Sequence, residues 1–164
     1  MAVGKYIAGV IKSVVARGVP FDNTTNGFNS DNVQSAIEEI GASASPGFSF
    51  GRNGGLSQNT WLRRPGNVPS NRAGVTVSIN NPVITEISCA NRNVETYDIE
   101  IYEHDGNQVN LTLLGTVTVT AATGDSFTVN FPVTQGRQLA VRLGSTATGN
   151  VRDLGVDLIL VGNN

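Results

Sequence analysis

The sequence predicts a mainly β protein, in which an antiparallel β-sandwich or jelly-roll knob follows an extended N-terminal arm and one short helix. Two observations predict the β domain. From Phe48 onward apolar and polar residues alternate with a period of two, as in strands that bury one face. Turn-forming clusters of Gly, Asn and Asp separate these segments at nearly regular spacing, without a helical pattern between them. A third observation, the small-residue linker "GASASPG" at 41–47, places a domain boundary before the β pattern.

Three parts are therefore expected along the chain: an arm at 1–19, a turn with a short helix and linker at 20–45, and the β-sandwich domain at 46–164. The arm contains two β-branched pairs, Val10–Ile11 and Val14–Val15, on a stretch too short to form a core by itself. Lysines interrupt its apolar run, which argues against both a membrane span and a signal peptide. We expect the arm to dock on a partner, and we expect neither export by the general secretory route nor a membrane partner.

The segment 20–45 joins a turn-forming run to one amphipathic helix. Asp31 is the expected N-cap, with Gln34 three residues later as in a capping box, and Ser30 is the alternative cap one residue earlier. An apolar stripe follows at helical spacing, and Gly41 is placed where it would end the helix. The stripe consists of Val33, Ala36, Ile37 and Ile40.

An isolated helix of about ten residues is marginal in water, so its apolar stripe must be covered. Val33, Ile37 and Ile40 also fit positions d, a and d of a heptad, and isoleucine at both positions favours three or more strands. We therefore expect the stripe to hold a homo-oligomer together, with a trimer as the expected form. The alternative is a helix that packs on the core of its own chain.

Short β segments separated by turns are expected throughout the third part. The segments are 74–79, 83–90, 95–103, 109–119, 127–131, 138–143 and 154–161. The turn signals are Asn80-Asn81-Pro82, Asp105-Gly106-Asn107, Gly124-Asp125, Gln135-Gly136 and Gly149-Asn150. The residues expected to face inward are Tyr97, Ile99, Ile101, Phe127, Val129 and Phe131. A bend or bulge is expected at Gly115.

Composition argues against several functional classes. The net charge of −2, without a basic stripe, argues against a nucleic-acid-binding protein. The single cysteine, Cys89, excludes an intrachain disulfide framework and a cysteine zinc cluster. Because Cys89 lies within an apolar strand pattern, we expect it to be a small buried hydrophobe; a reactive thiol is the alternative.

The single histidine, His104 in "YEHDGN", is the candidate for acid–base catalysis. The Asp105-Gly106 pair after it is a strong turn signal, so we expect His104 at a solvated hairpin tip, where burial does not shift its pKa. Neighbours along a strand point to opposite faces, which separates His104 from Glu103 and Asp105. The sequence therefore predicts a protein that is not an enzyme and has no catalytic residue. The alternative, a hydrolase, would lose its activity on His104→Ala.

No metal site and no cofactor are predicted. The segment "DNTTNGFNSDNV" at 22–33 resembles the start of a calcium-binding loop, but Val33 stands where such a loop needs a bidentate glutamate. Asx turns that lead into the helix cap are the preferred interpretation of this segment. The glycine-rich "GRNGG" at 51–55 lacks the spacing of a phosphate-binding loop.

Trp61, Arg63 and Arg64 in "NTWLRRPG" are candidates for ligand contact, because an aromatic ring beside guanidinium groups can stack on a sugar or a base. An anchor in an interface or in the core is the other interpretation of Trp61. His104 is the remaining candidate for ligand contact.

Two parts of the chain resemble virion proteins of tailed bacteriophages. The segment "VPFDNTTNGFNSDNVQSAIEEI" at 19–40 resembles a connector motif of phage fibre, needle and other appendage proteins, whose N-terminal part holds the particle while a C-terminal domain projects. The stretch "GFSFGRNGGLSQNTWLRRPGNVPSNRAG", followed by "YDIEIYEHDGN", "LLGTVTVTA" and "GRQLAVRLGS", resembles a small β domain at the ends of such proteins. Together the two resemblances extend over roughly residues 19–145.

The resemblance implies a virion structural protein without catalysis, assembled in the bacterial cytoplasm as a homo-oligomer. Because the chain has no long shaft, a short object is expected: a head fibre, a capsid decoration protein or a collar protein. The alternative is a receptor- or glycan-binding module of the tail-fibre or tailspike type, with a host surface glycan as its partner. Otherwise the implied partners are further copies of the chain and the major capsid, portal, collar or tail proteins. The residues implied to anchor the arm to the particle are Lys5, Tyr6, Ile7, Val10, Ile11, Lys12, Val14 and Arg17.

Overall fold

The structure is a computed structural model that describes residues 20, 32–35, 46–147 and 150–162. The chain divides into two compact units, Met1–Ala44 and Ser45–Asn164. Residues 33–35 are helical, and the described part of the second unit is built from strands. The strands are β1 (Gly47–Leu56), β2 (Arg63–Arg64), β3 (Val68–Pro69), β4 (Val75–Thr76), β5 (Pro82–His104), β6 (Thr112–Pro132), β7 (Gln138–Leu143) and β8 (Val151–Gly162). The predicted mainly β, antiparallel fold class is confirmed.

The strands form one antiparallel, curled sheet in the order β3-β2-β1-β8-β5-β7-β4, and β6 also pairs with β5. The sheet curls because β5 changes partners along its length. Its first half pairs with β8 and its second half pairs with β7, while β6 follows it along the other side. The division of this sheet into the two layers of a sandwich or jelly roll stays a prediction.

Strand β5 is a single strand of 23 residues, whereas the sequence predicted two separate strands at 83–90 and 95–103. The pairing with β6 shifts register between Ala90 and Glu95, so the expected interruption is an irregularity within one strand. Hydrogen bonds of polar side chains stabilise this irregularity. The Tyr97 hydroxyl donates to Asn91 Oδ1 at 3.0 Å, and Asn91 Nδ2 donates to the Asn93 carbonyl at 2.5 Å. The side-chain hydrogen bonds of Asn91 therefore lie at this irregularity.

Strand β6 likewise joins two predicted segments into 21 residues, and the turn predicted at Gly124-Asp125 is wrong. Gly124 pairs with Ala90 of β5, and a Cβ at position 124 would collide with the Cys89 carbonyl oxygen. Glycine is needed here for a close approach of two strands, not for a turn. The irregularity predicted at Gly115 is confirmed, because Ile101 pairs with Gly115 and Tyr102 pairs with Leu113.

The apolar side chains of the strands pack into a single core cluster. The fully buried residues among those predicted to face inward are Tyr97, Ile99 and Ile101. The partly buried ones, packed against this core, are Phe127, Val129 and Phe131. Cys89 is 7 % exposed and belongs to the core, as expected. Burial raises the pKa of its thiol, which keeps it protonated and unreactive near neutral pH.

The turns predicted at Asp105-Gly106-Asn107 and Gln135-Gly136 lie in turns or bends of the structure. Asn80 and Asn81 of another predicted turn also lie in a bend, but its third residue, Pro82, begins β5. Gly149 of the last predicted turn lies outside the described residues. Strand β7 coincides with the predicted segment 138–143, whereas β4 covers only two residues of the segment predicted at 74–79.

The helix begins one residue later than its predicted cap implied. The backbone N–H of Ser35 donates to Asn32 Oδ1 at 2.9 Å, so Asn32 caps the described turn. The predicted caps, Asp31 and Ser30, lie outside the described residues. Of the predicted oligomerisation stripe, Val33 is described and partly buried. Ala36, Ile37 and Ile40, and the whole arm at 1–19 with its anchoring residues, lie outside the described residues. No helix among the described residues is long and apolar enough to cross a membrane.

Candidate functional site

A row of residues without large side chains crosses four strands of the sheet on the face opposite the core. Gly124 of β6 pairs with Ala90 of β5, Ala90 pairs with Gly155 of β8, and Gly155 pairs with Gly51 of β1. Because neighbouring strands lie about 4.8 Å apart, this row is about 14 Å long. It forms the floor of a groove that runs across the strands, which we call the cross-strand groove.

A polar row forms one wall of the cross-strand groove. Ser126 pairs with Ser88, Ser88 pairs with Asp157, and Asp157 pairs with Ser49, so the wall crosses the same four strands. The Ser126 hydroxyl donates to Ser88 Oγ at 3.2 Å, and the Ser49 hydroxyl donates to Asp157 Oδ1 at 2.6 Å. This wall therefore offers hydroxyl and carboxylate groups to a ligand.

The opposite wall is built around Asp153, which has a positive φ of 53° where the pairing of β1 with β8 shifts register. Its Oδ1 accepts a hydrogen bond from the Gly54 backbone N–H at 2.6 Å. Its Oδ2 lies 3.6 Å from Arg92 Nη1. These two contacts compensate the negative charge of Asp153.

Three arginines stand at the β2 end of the groove. Arg63 pairs with Gly51, which places β2 beside the floor, and Arg52 and Arg64 line the same cavity. Arg63 Nη1 donates to the carbonyl and to the side-chain oxygen of Asn67, at 3.2 and 2.5 Å. Within the described part of the chain, Arg52 and Arg64 form no side-chain hydrogen bond, and none of the three arginines forms an ion pair.

The cavity at this end has a volume of about 500 Å³. A second cavity of about 450 Å³ lies over β5, β6 and β8 and shares Gly155 and Asp157 with the first. The two cavities therefore adjoin along the cross-strand groove, which is lined by arginine residues at one end and by serine residues at the other. Hydrogen-bond donors and acceptors line this groove, and Cys89 is also among the residues that line the second cavity.

His104 does not lie at a solvated hairpin tip, so the expectation from the sequence was wrong. It ends β5 and is 0 % exposed. Its Nε2 lies 2.9 Å from the Ser70 carbonyl oxygen, and the Gly106 backbone N–H donates to its Nδ1 at 2.9 Å. The ring is therefore neutral with its proton on Nε2, and both nitrogens bind backbone. A buried side chain so engaged is not placed to contact a ligand.

Burial lowers the pKa of His104, and the nearby positive charge of Arg137 acts in the same direction. The Ser70 carbonyl and Asp105 oppose this effect. The neutral ring links the turn after β5 to the segment after β3, so we assign His104 a structural role. The turn signal after His104 led to the expectation that the ring would be exposed. His104 is instead the last residue of β5, and its side chain is buried.

Trp61 belongs to a separate cluster on β7 and the second half of β5. Its ring centroid lies 5.2 Å from that of Tyr102 in an edge-to-face arrangement, and the Arg142 guanidinium lies 5.3 Å from the Trp61 centroid. Arg142 Nη2 lies 2.6 Å from Glu100 Oε2. These contacts favour the interpretation of Trp61 as an anchor. The Trp61 side chain holds the segment between β1 and β2 against β7. Trp61 is not among the residues that line the cross-strand groove, whereas Arg63 and Arg64 are.

Sequence reasoning identified Arg63 and Arg64 but missed the groove itself and its residues Arg52, Asp153 and Asp157. A signal was present, because glycines lie inside strand patterns at the floor positions, and glycine inside a strand marks close approach of a backbone or a ligand. Which glycines share a row depends on strand pairing, which the local pattern does not contain. No group of three or more His, Cys, Asp or Glu that could hold a metal ion occurs in the described ranges.

In comparisons with known proteins, no family model matches this chain and no curated protein matches it significantly.

Proposed function

We propose that this chain is a non-enzymatic structural protein of a bacteriophage particle: a short homo-oligomeric head-fibre, decoration or collar protein that is anchored by its N-terminal arm. The observation that supports it most is the order of its parts. The segment that resembles the phage connector motif, 19–40, lies in the first compact unit, and an antiparallel β unit follows it. An attachment segment followed by a projecting domain is the organisation that the resemblance implies.

The state of His104 also supports a role without catalysis. It is the single histidine of the chain, and both of its ring nitrogens are engaged by backbone groups. A general base must reach the proton that it removes, which this buried ring does not.

The proposal predicts that Ile37→Asp dissociates the assembly and leaves the β unit folded. A charge in the apolar stripe is unfavourable when sister helices cover it. Sedimentation velocity at micromolar concentration is expected to give an oligomer for the wild type and a monomer for the variant. Circular dichroism and the fluorescence of the single tryptophan, Trp61, are expected to report a folded β unit in both.

Ser35→Asp is the matched control, because it adds the same charge to the same helix away from the stripe, where an acid near the N-terminus is favourable. It is expected to sediment as the wild type does. A wild-type monomer would overturn the proposed assembly. Loss of the β signal in Ile37→Asp would instead mean that the helix belongs to the core of its own chain.

A second candidate function is a receptor- or glycan-binding module of tail-fibre or tailspike type on the same scaffold. The observation that favours it is the cross-strand groove, because its three arginines form no ion pair within the described residues. Such groups are available to an anionic ligand.

A further inference from the structure

We propose that the cross-strand groove binds an extended, carboxylated oligosaccharide. A carboxylate of the ligand is held at the β2 end by Arg52 and Arg64, and its hydroxyl groups are held by the polar walls. This inference rests on the second candidate function and names its ligand class and its site. It does not require the proposed assembly, because every residue that it uses belongs to the second compact unit.

The charge distribution of the groove selects an anionic group at one end. Asp153 is compensated by Arg92 and by the Gly54 N–H, and Asp157 accepts the Ser49 hydroxyl. Arg52 and Arg64 have no such partner among the described residues. The guanidinium fork matches a carboxylate through two parallel hydrogen bonds, so a carboxylate is the preferred occupant of this end.

The floor favours a saccharide over a peptide. Extended peptides gain affinity mainly by adding a strand to a free sheet edge, where unpaired N–H and C=O groups are available. Here Ala90 pairs with Gly124 and Gly155, and Gly155 pairs with Ala90 and Gly51, so the middle of the floor has a paired strand on each side. A peptide that lies over these two residues would find no edge there, whereas a flat, hydroxyl-rich chain needs only the side chains of the walls.

The walls supply the matching groups. Ser88 and Ser126 present hydroxyls that donate and accept, and the carboxylates of Asp153 and Asp157 accept from sugar hydroxyls. The floor and the polar wall each extend over four strands, so several sugar units of an extended chain can lie along the groove.

Titration calorimetry with hexagalacturonate, a carboxylated hexasaccharide, tests the proposal on the full-length chain. Wild type is expected to bind. Arg64→Gln is expected to weaken binding roughly tenfold or more, because a charge-assisted hydrogen bond is lost. The control Arg72→Gln removes the same charge from an exposed turn outside the groove and is expected to bind as wild type does.

Gly155→Val tests the floor independently of charge. A Cβ at position 155 meets nothing closer than the Ala90 carbonyl oxygen at 4.0 Å, so the variant is expected to fold with an unchanged or higher urea midpoint. Its side chain occupies the groove, so binding of hexagalacturonate is expected to disappear.

Three results would overturn the proposal. The first is no binding of hexagalacturonate by wild type, and the second is equal binding by wild type and Gly155→Val. The third is equally tight binding of maltohexaose, which lacks carboxylates, or of hexaglutamate, which is a peptide. The dissociated Ile37→Asp variant is expected to bind as well per chain as wild type. A monomeric wild type that binds would therefore refute the assembly alone, and an oligomer that does not bind would refute the groove alone.

Discussion

Shortening Ile99 to alanine is expected to lower the free energy of unfolding by roughly 2–5 kcal/mol, the range for large-to-small changes in a packed core. Ile99 is 0 % exposed and lies where β5 pairs with both neighbours, Val117 of β6 and Leu143 of β7. The truncation leaves a cavity between strands that continue to pair, so the surrounding backbone collapses only in part. Urea unfolding followed by Trp61 fluorescence measures the change, with an unchanged m value.

Thr116→Ser is the matched control for this prediction, since Thr116 is exposed on β6 and pairs with Glu100, the next residue of β5. It is expected to change the free energy of unfolding by no more than about 0.5 kcal/mol. A loss below 1 kcal/mol for Ile99→Ala, at the level of a surface change, would mean that the second half of β5 is not part of the cooperative core.

The stability of the β unit is expected to decrease as the pH falls below 6.5, the ordinary pKa of histidine, because of His104. Burial lowers the pKa of the native ring. Below 6.5 the unfolded chain therefore binds a proton that the native chain does not, and this favours unfolding. Above 6.5 the ring is neutral in both states and has no effect. Between the two pKa values the slope approaches about 1.4 kcal/mol per pH unit.

The measurement is urea unfolding at a series of pH values, together with NMR titration of the single histidine. The hydrogen bond from the Asn110 side chain is the first cause of the lowered pKa of Asp105. Asp105 therefore stops stabilising the native state only at pH values below about 3.8, its ordinary pKa. The interval between 3.8 and 6.5 therefore separates His104 from Asp105. His104→Gln is expected to be less stable at neutral pH and to lack the decline attributed to the ring. A native histidine pKa at or above 6.5 would contradict the buried, neutral state.

Local patterns in the sequence are sufficient for much of this fold. The alternation in 95–103 places Tyr97, Ile99 and Ile101 in the core, because side chains of a strand point to its two faces in turn. The turn at Asp105-Gly106 and the buried thiol of Cys89 can be predicted for the same reason. Each depends on residues that are close neighbours in the chain.

The predictions from the sequence that were wrong have a common cause. Gly124 and the asparagines near Asn91 have turn-forming character, yet β5 and β6 run through them because each strand is held by a partner along its length. His104 follows a strand and precedes a turn, and only the fold brings Ser70 over its ring. Tertiary contacts thus outweigh local preference at these positions.

The cross-strand groove also depends entirely on tertiary contacts. Ser49 and Asp157, which form part of its wall, are 108 positions apart in the chain, and its floor gathers glycines from three strands. Residue types and their period decide which side chains face outward, and local sequence carries that information. Which outward residues become neighbours is decided by strand order and register, which arise from the packing of the whole chain, so the site emerges only with the folded sheet.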